Sequence, residues 1–568
     1  MGQPMKSKKL IFSISVGIGV VMVAVLMFNG FGYSQSSVNS GPDRLLYGRV
    51  ISSYGPVENV RVRLPGSEGY SLTDKQGKFS LKIGHVPWPR FRITAGKEGW
   101  FNNGQFANQT DLSGEVFLNP ILLDDRPDYQ FISPEVCARC HVKLTRYWDR
   151  SKMAHTTSNP KVLETYYGTD AYKRPGIGPG YKLDNPDDSG NCAVCHAPSA
   201  AVSQPKTMDL DTVLKSSKTE WDGISCEYCH KVRKVLKDPS RPSGFRPVLE
   251  RQSPLQGQAI LVYGPYDDVA VPPMAASYNP LYEKGQFCAT CHSHVKKVPD
   301  TSTWNPDSIY SDEEWKGFGL KDKSYLPIQT TYQEWKQWQS QLSPTDSNKG
   351  KKCQDCHMSW RKEMLPYDNY VVDAGARNMW GTWRSPENIR PHHFDGGTEI
   401  QLKTALSMEL EGEIKGDTLI VKAYITNTNG GHWVPTGETM RSVMLVMNAV
   451  DGNGKPLELK KGSRLPDWTG IGEEKGGNYA GLPGAVFARI LQDDKGNIHV
   501  PFWRATGIAS DTRIRPKKTV ALTYEFTLTD PGDEPEVEAK LIYRPVIKPW
   551  AKKKNWLVED ILITSSAW

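Results

Sequence analysis

The pattern of hydrophobic and polar positions divides the chain into two strand-forming ends and a middle part with weak periodicity. Alternation of apolar and polar residues predicts half-buried strands. Near the N-terminus these runs are 46–51, 57–64 and 91–95. Near the C-terminus they are 418–425, 442–450, 519–528 and 537–543. Turn residues such as Gly77 separate the runs, so the pattern predicts two small β-sandwich domains, over residues 44–124 and 399–568.

The middle part, residues 125–398, follows neither the strand period nor a sustained helix period. Short helices are predicted over 134–152, 211–217 and 331–342, joined by long loops rich in Pro and Gly. Long loops without regular structure are uncommon in compact domains. This part of the chain therefore needs a restraint other than an ordinary side-chain core.

The N-terminus has the pattern of an export signal. Lys6, Lys8 and Lys9 precede an uncharged, mostly apolar run over 10–28, and Gly32 and Ser34 stand at suitable cleavage positions. The run is also just long enough to cross a bilayer. A cleaved signal peptide over 1–34 and a retained anchor that binds the membrane through 10–28 both stay open. Either one predicts export to the periplasm or the outer face of the cytoplasmic membrane, with an extracellular location as a further alternative.

Composition and charge restrict the classes of protein and partner that fit this pattern. The chain has 568 residues, of which 38% are hydrophobic, and its formal net charge is +7. Its mean hydropathy of −0.52 is that of an ordered, water-exposed protein of several domains. Lys and Arg are scattered along the chain rather than clustered, which argues against a nucleic-acid partner.

The cysteines change the interpretation of the middle part. All ten belong to five copies of Cys-x-x-Cys-His. These copies, numbered motif 1 to motif 5, are Cys137–Cys140–His141, Cys192–Cys195–His196, Cys226–Cys229–His230, Cys288–Cys291–His292 and Cys353–Cys356–His357. The motif is the attachment signal for c-type haem. Its thiols bind the haem covalently, and its His is the proximal iron ligand.

Zinc sites and disulfides are the alternatives for paired cysteines. Neither requires a His directly after the second Cys in every copy. The sequence therefore predicts five covalently attached haem c groups. It also predicts the fold class: a mostly α-helical and loop-rich multihaem core over 125–398, packed around the haems and flanked by the two β-sandwiches.

Several stretches resemble known families. Three stretches are similar to motifs of the multihaem c-type cytochromes that include the nitrifier tetrahaem cytochrome and the octahaem reductases. These stretches are Tyr147 to His155, His392-His393-Phe394-x-Gly-Gly and Gly431-His432-x-x-Pro-Thr-Gly. The resemblance implies that His155, His392 and His432 are distal iron ligands, with His393 as the exchangeable neighbour of His392. Thr73-Asp74-x-x-Gly77-x-Phe79-x-Leu81 resembles the carboxypeptidase-regulatory type of β-sandwich, which implies a spacer or docking module.

Other histidines are weaker ligand candidates. His294 lies too close to His292 to bind the same iron, but it could serve a neighbouring haem. His85 and His499 remain as further histidines outside the motifs. Because the expected distal ligands number three or four against five haems, one haem is expected to use Met or to be five-coordinate.

These features predict an exported pentahaem cytochrome that carries electrons between redox protein partners. A reductase or oxidase of a small nitrogen or sulfur compound at a five-coordinate haem is the alternative, and a subunit of a larger envelope complex or filament is the third. The sequence identifies no catalytic residue, and it favours an electron carrier over an enzyme.

Overall fold

The computed structural model describes residues 44–568 except 85, 87–88, 204–207, 217–221, 253–259, 272–273, 301, 303, 321, 361–387, 531 and 533. The predicted signal or anchor over 1–34 and His85 lie outside the described residues. Within the residues described, no helix is both long and apolar enough to cross a membrane.

The N-terminal part consists of two four-stranded sheets. Its strands are β1 (Arg44–Ser52), β2 (Gly55–Pro56), β3 (Arg61–Arg63), β4 (Ser71–Leu72), β5 (Lys78–Ile83), β6 (Arg90–Gly96), β7 (Asn103–Asn108) and β8 (Ser113–Phe117). One sheet joins β2, β1 and β5, with β8 parallel to β1, and the other has the order β4-β3-β6-β7. Leu46 and Phe79 from the first sheet and Val62 and Ile93 from the second belong to one buried apolar cluster.

Gly77 shows why the turn before β5 needs glycine. Its φ is +72°, and an added Cβ would lie 2.4 Å from the carbonyl oxygen of Val50. The amide of Val50 also donates to the carbonyl oxygen of Gly77, at 2.8 Å. The turn is thus held against β1, with Gly77 in a positive-φ conformation that glycine adopts without strain.

The N-terminal sheets are fastened to the middle part of the chain. Arg63 Nη2 donates to Asp267 Oδ2 at 2.8 Å, and the amide of Gly66 donates to Asp268 Oδ2 at 2.8 Å. Asn102 donates to the carbonyl of Tyr266 at 2.9 Å and accepts the amide of Tyr278 at 3.1 Å. These contacts dock the two-sheet unit on the loop between β11 (Ile260–Gly264) and β12 (Met274–Tyr278).

The middle part is built from short helices. They are α1 (Pro134–Ala138), α2 (Val142–Asp149), α3 (Pro160–Tyr167), α4 (Tyr181–Asp184), α5 (Cys192–His196), α6 (Pro198–Ala201), α7 (Leu210–Leu214), α8 (Cys226–His230), α9 (Gln286–Ala289), α10 (Asp312–Phe318), α11 (Thr331–Gln341) and α12 (Cys353–His357). The helical segment predicted over 134–152 is divided in the structure, because His141 has non-helical backbone angles (φ −107°, ψ 53°) and separates α1 from α2.

Short sheets also occur in the middle part, where the pattern predicted none. Strand β9 (Val232–Lys237) pairs with β10 (Phe245–Leu249), and β13 (His294–Lys297) pairs with β14 (Tyr325–Gln329), both antiparallel. Strands β11 and β12 are parallel. Two-stranded pairs of this length carry too little hydrophobic alternation to be recognised from the sequence.

The C-terminal part again contains two four-stranded sheets. Helix α13 (Glu399–Ala405) leads into β15 (Leu406–Lys415), β16 (Thr418–Asn427), β17 (Ser442–Val450), β18 (Glu458–Lys461), β19 (Gly484–Phe487), β20 (Arg489–Gln492), β21 (Gly507–Asp511), β22 (Thr519–Thr527), β23 (Glu536–Arg544), α14 (Lys548–Lys554) and β24 (Ile561–Ala567). The sheet orders are β15-β16-β22-β18 and β19-β17-β23-β24, and β20 pairs with β21.

One apolar cluster lies between these C-terminal sheets. Val421 and Phe526 from one sheet and Leu445 and Leu541 from the other are fully buried in it. The strand predicted over 442–450 is confirmed as β17, and its six consecutive buried residues explain why it appears as a continuous apolar run.

Candidate haem-binding sites

Each motif is built around one turn of helix. Motifs 2, 3 and 5 coincide with α5, α8 and α12. In motifs 1 and 4 the amide of the His donates to the carbonyl of the first Cys, at 2.9 Å in both His141 and His292. This one-turn spacing puts the first thiol and the imidazole on the same side of the turn. A planar macrocycle that binds both thiols and the imidazole requires that arrangement.

The ten cysteines are all free thiols in the structure. They are therefore available for thioether bonds. Within the described residues, no group of three or more His, Cys, Asp or Glu side chains is arranged to hold a metal ion.

Thiols from different motifs contact one another. Hydrogen-bond contacts join Cys137 of motif 1 to Cys226 of motif 3, and Cys195 of motif 2 to Cys291 of motif 4. A third contact joins Cys288 of motif 4 to Cys353 of motif 5. Motif 4 thus contacts motifs 2 and 5 directly.

Motifs 3 and 4 are also neighbours. Burial, and then the thiol of Cys291, raise the pKa of Cys229 in motif 3 to about 12. Together with the thiol contacts, this proximity connects all five motifs. The connection runs from motif 1 to motif 3 and then to motif 4, where it branches to motifs 2 and 5.

Glu227, inside motif 3, fastens that motif to the segment that precedes motif 1. Its carboxylate accepts the amide of Ile132 at 2.6 Å and the hydroxyl of Tyr129. Lys231 is fully buried, with its Nζ 3.4 Å from Glu227 Oε1. Motifs 1 and 3 are thus held together by a buried polar group as well as by their thiols.

Two of the motif histidines face a second histidine ring. The ring centroids of His230 and His392 are 6.4 Å apart with an interplanar angle of 27°. Those of His357 and His432 are 6.2 Å apart with an angle of 5°. Two imidazole nitrogens that bind one metal ion from opposite sides each lie about 2 Å from it, which puts the ring centroids about 6 Å apart. Both pairs fit a shared iron atom.

The Nδ1 atoms of these four rings each lie against a backbone carbonyl. Nδ1 is 2.6 Å from Tyr263 O in His230 and is also hydrogen-bonded to Asp395 O in His357. The distance is 2.8 Å from His392 to Arg390 O and 3.0 Å from His432 to Trp433 O. A carbonyl can only accept, so Nδ1 carries the proton and the lone pair of the neutral ring is on Nε2. Histidines that bind metals commonly have this orientation.

The structure distinguishes the two adjacent histidines at 392 and 393. His392 is the one whose ring faces His230. His393 instead places Nε2 2.9 Å from Ser359 O, and its Nδ1 lies 3.1 Å from Asp395 Oδ2. Arg390 binds Asp355 and also donates to Gln354 O at 3.2 Å, so the segment that carries His392 is fastened to the interior of motif 5.

His155 is exposed on a loop next to motifs 2 and 3. Its Nε2 is 2.6 Å from the carbonyl of Asp149. The hydroxyls of Thr156 and Thr157 donate to the carbonyl of His196 at 2.9 and 2.6 Å. Met153 accepts the amide of Ile224, two residues before motif 3, at 3.0 Å. The loop is thus near two haem motifs, but the ring itself is hydrogen-bonded to the last residue of α2.

His294 and His499 lie in other surroundings. The ring of His294 packs edge-on against Phe502 at 4.7 Å, and that of His499 against Trp468 at 4.5 Å. Burial lowers the pKa of both rings to about 4. The immediate neighbour of each of these two rings is thus an aromatic side chain.

Burial favours the neutral form of three motif histidines and of His432. It lowers the pKa of His196, His230 and His432. It lowers the pKa of His292 to about 4, with His357 and Arg441 as additional causes. Neutral imidazole is the form that binds a metal.

Some residues of the site were not recognisable in the sequence. The carbonyl oxygens of Tyr263 and Asp395, which orient His230 and His357, come from distant loops and carry no side-chain signal. Gly431, directly before His432, lies close to a tryptophan ring. In the structure an added Cβ at Gly431 would lie 2.7 Å from the Trp338 ring. The small residue at 431 is thus required by a neighbouring side chain.

Residues 136–231 match the model of the family described as cytochrome c554 and c-prime. This segment contains motifs 1, 2 and 3 together with His155. The match supports a multihaem c-type cytochrome. Covalently bound haem c and electron transfer are the properties that this match supports for the cytochrome.

A penta-heme cytochrome c552 from Thermochromatium tepidum is among the solved structures that are similar to this chain. It is 20% identical in sequence, the match covers 77% of this cytochrome and 98% of that chain, and the TM-score is 0.48. None of the curated proteins matches the cytochrome.

Proposed function

We propose that this cytochrome is an exported pentahaem electron carrier. The observation that carries the proposal is the connection of all five motifs through contacts between neighbouring motifs. Each haem iron supplies one reversible electron, at a potential that the protein sets through axial ligand, burial and hydrogen bonds. A chain whose haem-binding residues touch one another suits transfer through the molecule.

The histidine pairs support specific ligand assignments. His392 is the distal ligand for the haem of motif 3, and His432 is the distal ligand for the haem of motif 5. His155 is assigned to a haem beside its loop and requires a turn of its ring away from Asp149. His294 and His393 are not assigned.

The same reasoning extends to the domains. Residues 44–124 and 399–568 form β-sandwich domains, and residues 125–398 form the haem-binding domain. His432 belongs to the C-terminal domain, so an iron bond would fasten that domain to the haem-binding domain. The contacts of Arg63 and Asn102 give the N-terminal domain a docking role within the chain.

Motif 1 is the candidate contact site for a redox partner. Cys140 is exposed, whereas the other nine thiols are only partly exposed. Arg139, Arg146 and Arg150 are exposed around it, and Val142 is 47% exposed. Cations with an exposed apolar residue among them suit a partner with an acidic surface.

A reductase acting at a five-coordinate haem is the second candidate function. The observation in its favour concerns His196 and His292. Within the described residues, no second histidine ring faces either of them as His392 faces His230. In addition, the buried Nδ1 of His196 has no hydrogen-bond partner in the described part of the chain. A proximal ligand without that hydrogen bond is less basic.

Haem content and spin state test the proposal. For the purified holoprotein we expect a mass equal to the mature chain plus five haems, uptake of five electrons in a reductive titration, and no turnover of nitrite, hydroxylamine or sulfite. Sustained turnover of one of these compounds, together with a high-spin signal that it perturbs, would favour the reductase. A haem count below five would contradict the pentahaem assignment.

A further inference from the structure

Four charged side chains form a buried quartet between the haem motifs and the C-terminal sheets: Glu334, Arg489, Asp511 and Arg513. Their side chains are at most 4% exposed. Glu334 lies on α11, Arg489 begins β20, Asp511 ends β21, and Arg513 follows it. Two carboxylates balance two guanidinium groups, so the quartet has no net charge.

The ion pairs within the quartet have close geometry. Arg513 donates Nε and Nη2 to the two oxygens of Asp511, at 2.8 and 2.9 Å. Its Nη1 donates to Glu334 Oε1 at 2.9 Å. Arg489 donates Nε to Asp511 Oδ2 at 2.9 Å. Bidentate pairs of this kind fix orientation as well as distance.

The quartet reaches a haem ligand through one residue. Glu334 Oε2 accepts the amide of Trp433 at 3.1 Å, and the carbonyl of the same Trp433 lies 3.0 Å from His432 Nδ1. The indole ring of Trp433 is covered by the guanidinium groups of Arg513 and Arg515, at 4.8 and 4.6 Å from its centroid. Trp433 is thus held at its amide and at its ring while its carbonyl orients His432.

We propose that the quartet is a positioning device for His432, with Glu334 as its key residue. It keeps the Trp433 carbonyl on Nδ1, so the ring stays parallel to that of His357 and remains a strongly basic ligand. This inference rests on the proposed assignment of His432 as a distal ligand. A buried ion-pair network is seldom an efficient way to gain stability. The hydrogen bond from the Trp433 amide to Glu334 gives the quartet a second role.

The test is Glu334→Gln in the holoprotein, studied by EPR and by potentiometric titration. The substitution leaves two guanidinium groups facing one carboxylate, and it weakens the acceptor for the Trp433 amide. We expect the midpoint potential of one haem to rise, because a less basic ligand stabilises ferric iron less. The low-spin EPR signal of the same haem should shift, and the other haems should be unchanged.

Asp560→Asn is the matched control. Asp560 pairs with the buried Arg544 at 2.8 and 2.6 Å in the C-terminal part, and the pair makes no contact with a haem motif. This variant should lower the melting temperature to a similar degree without moving any potential or EPR signal. The proposal is overturned if Glu334→Gln lowers the melting temperature but leaves every signal and potential as in the wild type.

Two further variants keep the test decisive. If Glu334→Gln does not fold, Thr330→Val is the alternative. It removes a hydroxyl that donates to Glu334 at 2.6 Å and accepts from Arg489 at 3.1 Å. This variant should cause a smaller shift, and Thr330→Ser should abolish that shift.

His432→Ala should convert one haem to high spin. If it alters no haem, the ligand assignment fails. If it alters a haem other than the one that Glu334→Gln alters, the positioning role fails.

Discussion

The rings of His357 and His432 lie 6.2 Å apart and within 5° of parallel, although 75 residues of chain separate them. His357 ends α12 and His432 stands in the loop after β16, so the two reach each other across the boundary between the haem motifs and the C-terminal sheets. Each has its Nδ1 on a backbone carbonyl. The pair His230 and His392 repeats this arrangement.

His392 and His393 give a test with adjacent residues. His392→Ala should convert one haem to high spin, because His392 is the ring that faces His230. His393→Ala should leave the spin state of every haem unchanged, because the Nε2 atom of His393 is hydrogen-bonded to Ser359 O. EPR and resonance Raman spectra of the two holoproteins report the difference.

Imidazole supplies the control for this pair of variants. Added imidazole should return the altered haem of His392→Ala to low spin by occupying the vacated side. If His393→Ala instead produced the high-spin haem, the ligand assignment at this site would have to be exchanged.

Charge reversal at motif 1 tests the partner surface. The double substitution Arg146→Glu and Arg150→Glu should slow electron exchange with an acidic redox protein by about tenfold at low ionic strength, because complementary charges accelerate association. Stopped-flow reduction at increasing salt should bring the variant and the wild type together.

Lys78→Glu reverses an exposed charge on β5, in the N-terminal sheets, and should leave this rate unchanged. A basic redox protein should react faster with the double variant than with the wild type. Equal rates with acidic and basic proteins would show that motif 1 is not the contact site.

Alanine substitutions at Gly77 and Gly99 distinguish destabilisation by steric overlap from destabilisation by backbone strain. Both have positive φ, +72° and +85°, but an added Cβ meets Val50 O at 2.4 Å only at Gly77 and finds open space at Gly99. Gly99→Ala should cost about 1 kcal/mol of unfolding free energy through its φ alone. Gly77→Ala should cost more, about 2–3 kcal/mol, and urea unfolding followed by tryptophan fluorescence compares them. Equal losses would contradict the close contact at β1.

Asp511 carries a pH dependence with a definite sign. Burial raises its pKa, but Arg513 and Arg489 lower it more, so the pKa lies well below the ordinary value of 3.8. A depressed pKa contributes stability that is present above the unfolded-state pKa and is lost as the pH falls toward the folded-state value. Asp511→Asn should therefore cost about 3 kcal/mol at pH 7.

That cost should shrink below about pH 4, where the unfolded wild-type carboxyl begins to bind its proton. Urea unfolding of both proteins at pH 7, 5 and 3 measures the change. A loss of stability that is the same at pH 3 and pH 7 would mean that Asp511 is not charged in the folded protein.

Prediction from the sequence worked best where one residue pattern determines one structure. The run 442–450 became β17, and Gly77 has the positive φ that its turn requires. Prediction was incomplete at 134–152, where the helix-like pattern continues through motif 1 but the backbone leaves the helical region at His141. The pairs β9–β10, β11–β12 and β13–β14 were missed because each strand is short and its partner is set by tertiary contacts.

By itself, the sequence determined the haem chemistry of this cytochrome, because five Cys-x-x-Cys-His motifs bring two thiols and an imidazole together within a single turn of helix. It also determined the strand-forming ends, through periodicity. Only the tertiary structure decided which histidine faces which motif, that motif 4 is the branch point of the contacts, and that Glu334 reaches His432 through Trp433. These relationships join residues far apart in the chain, and no local pattern records which distant backbone carbonyl or side chain will lie beside a given ring.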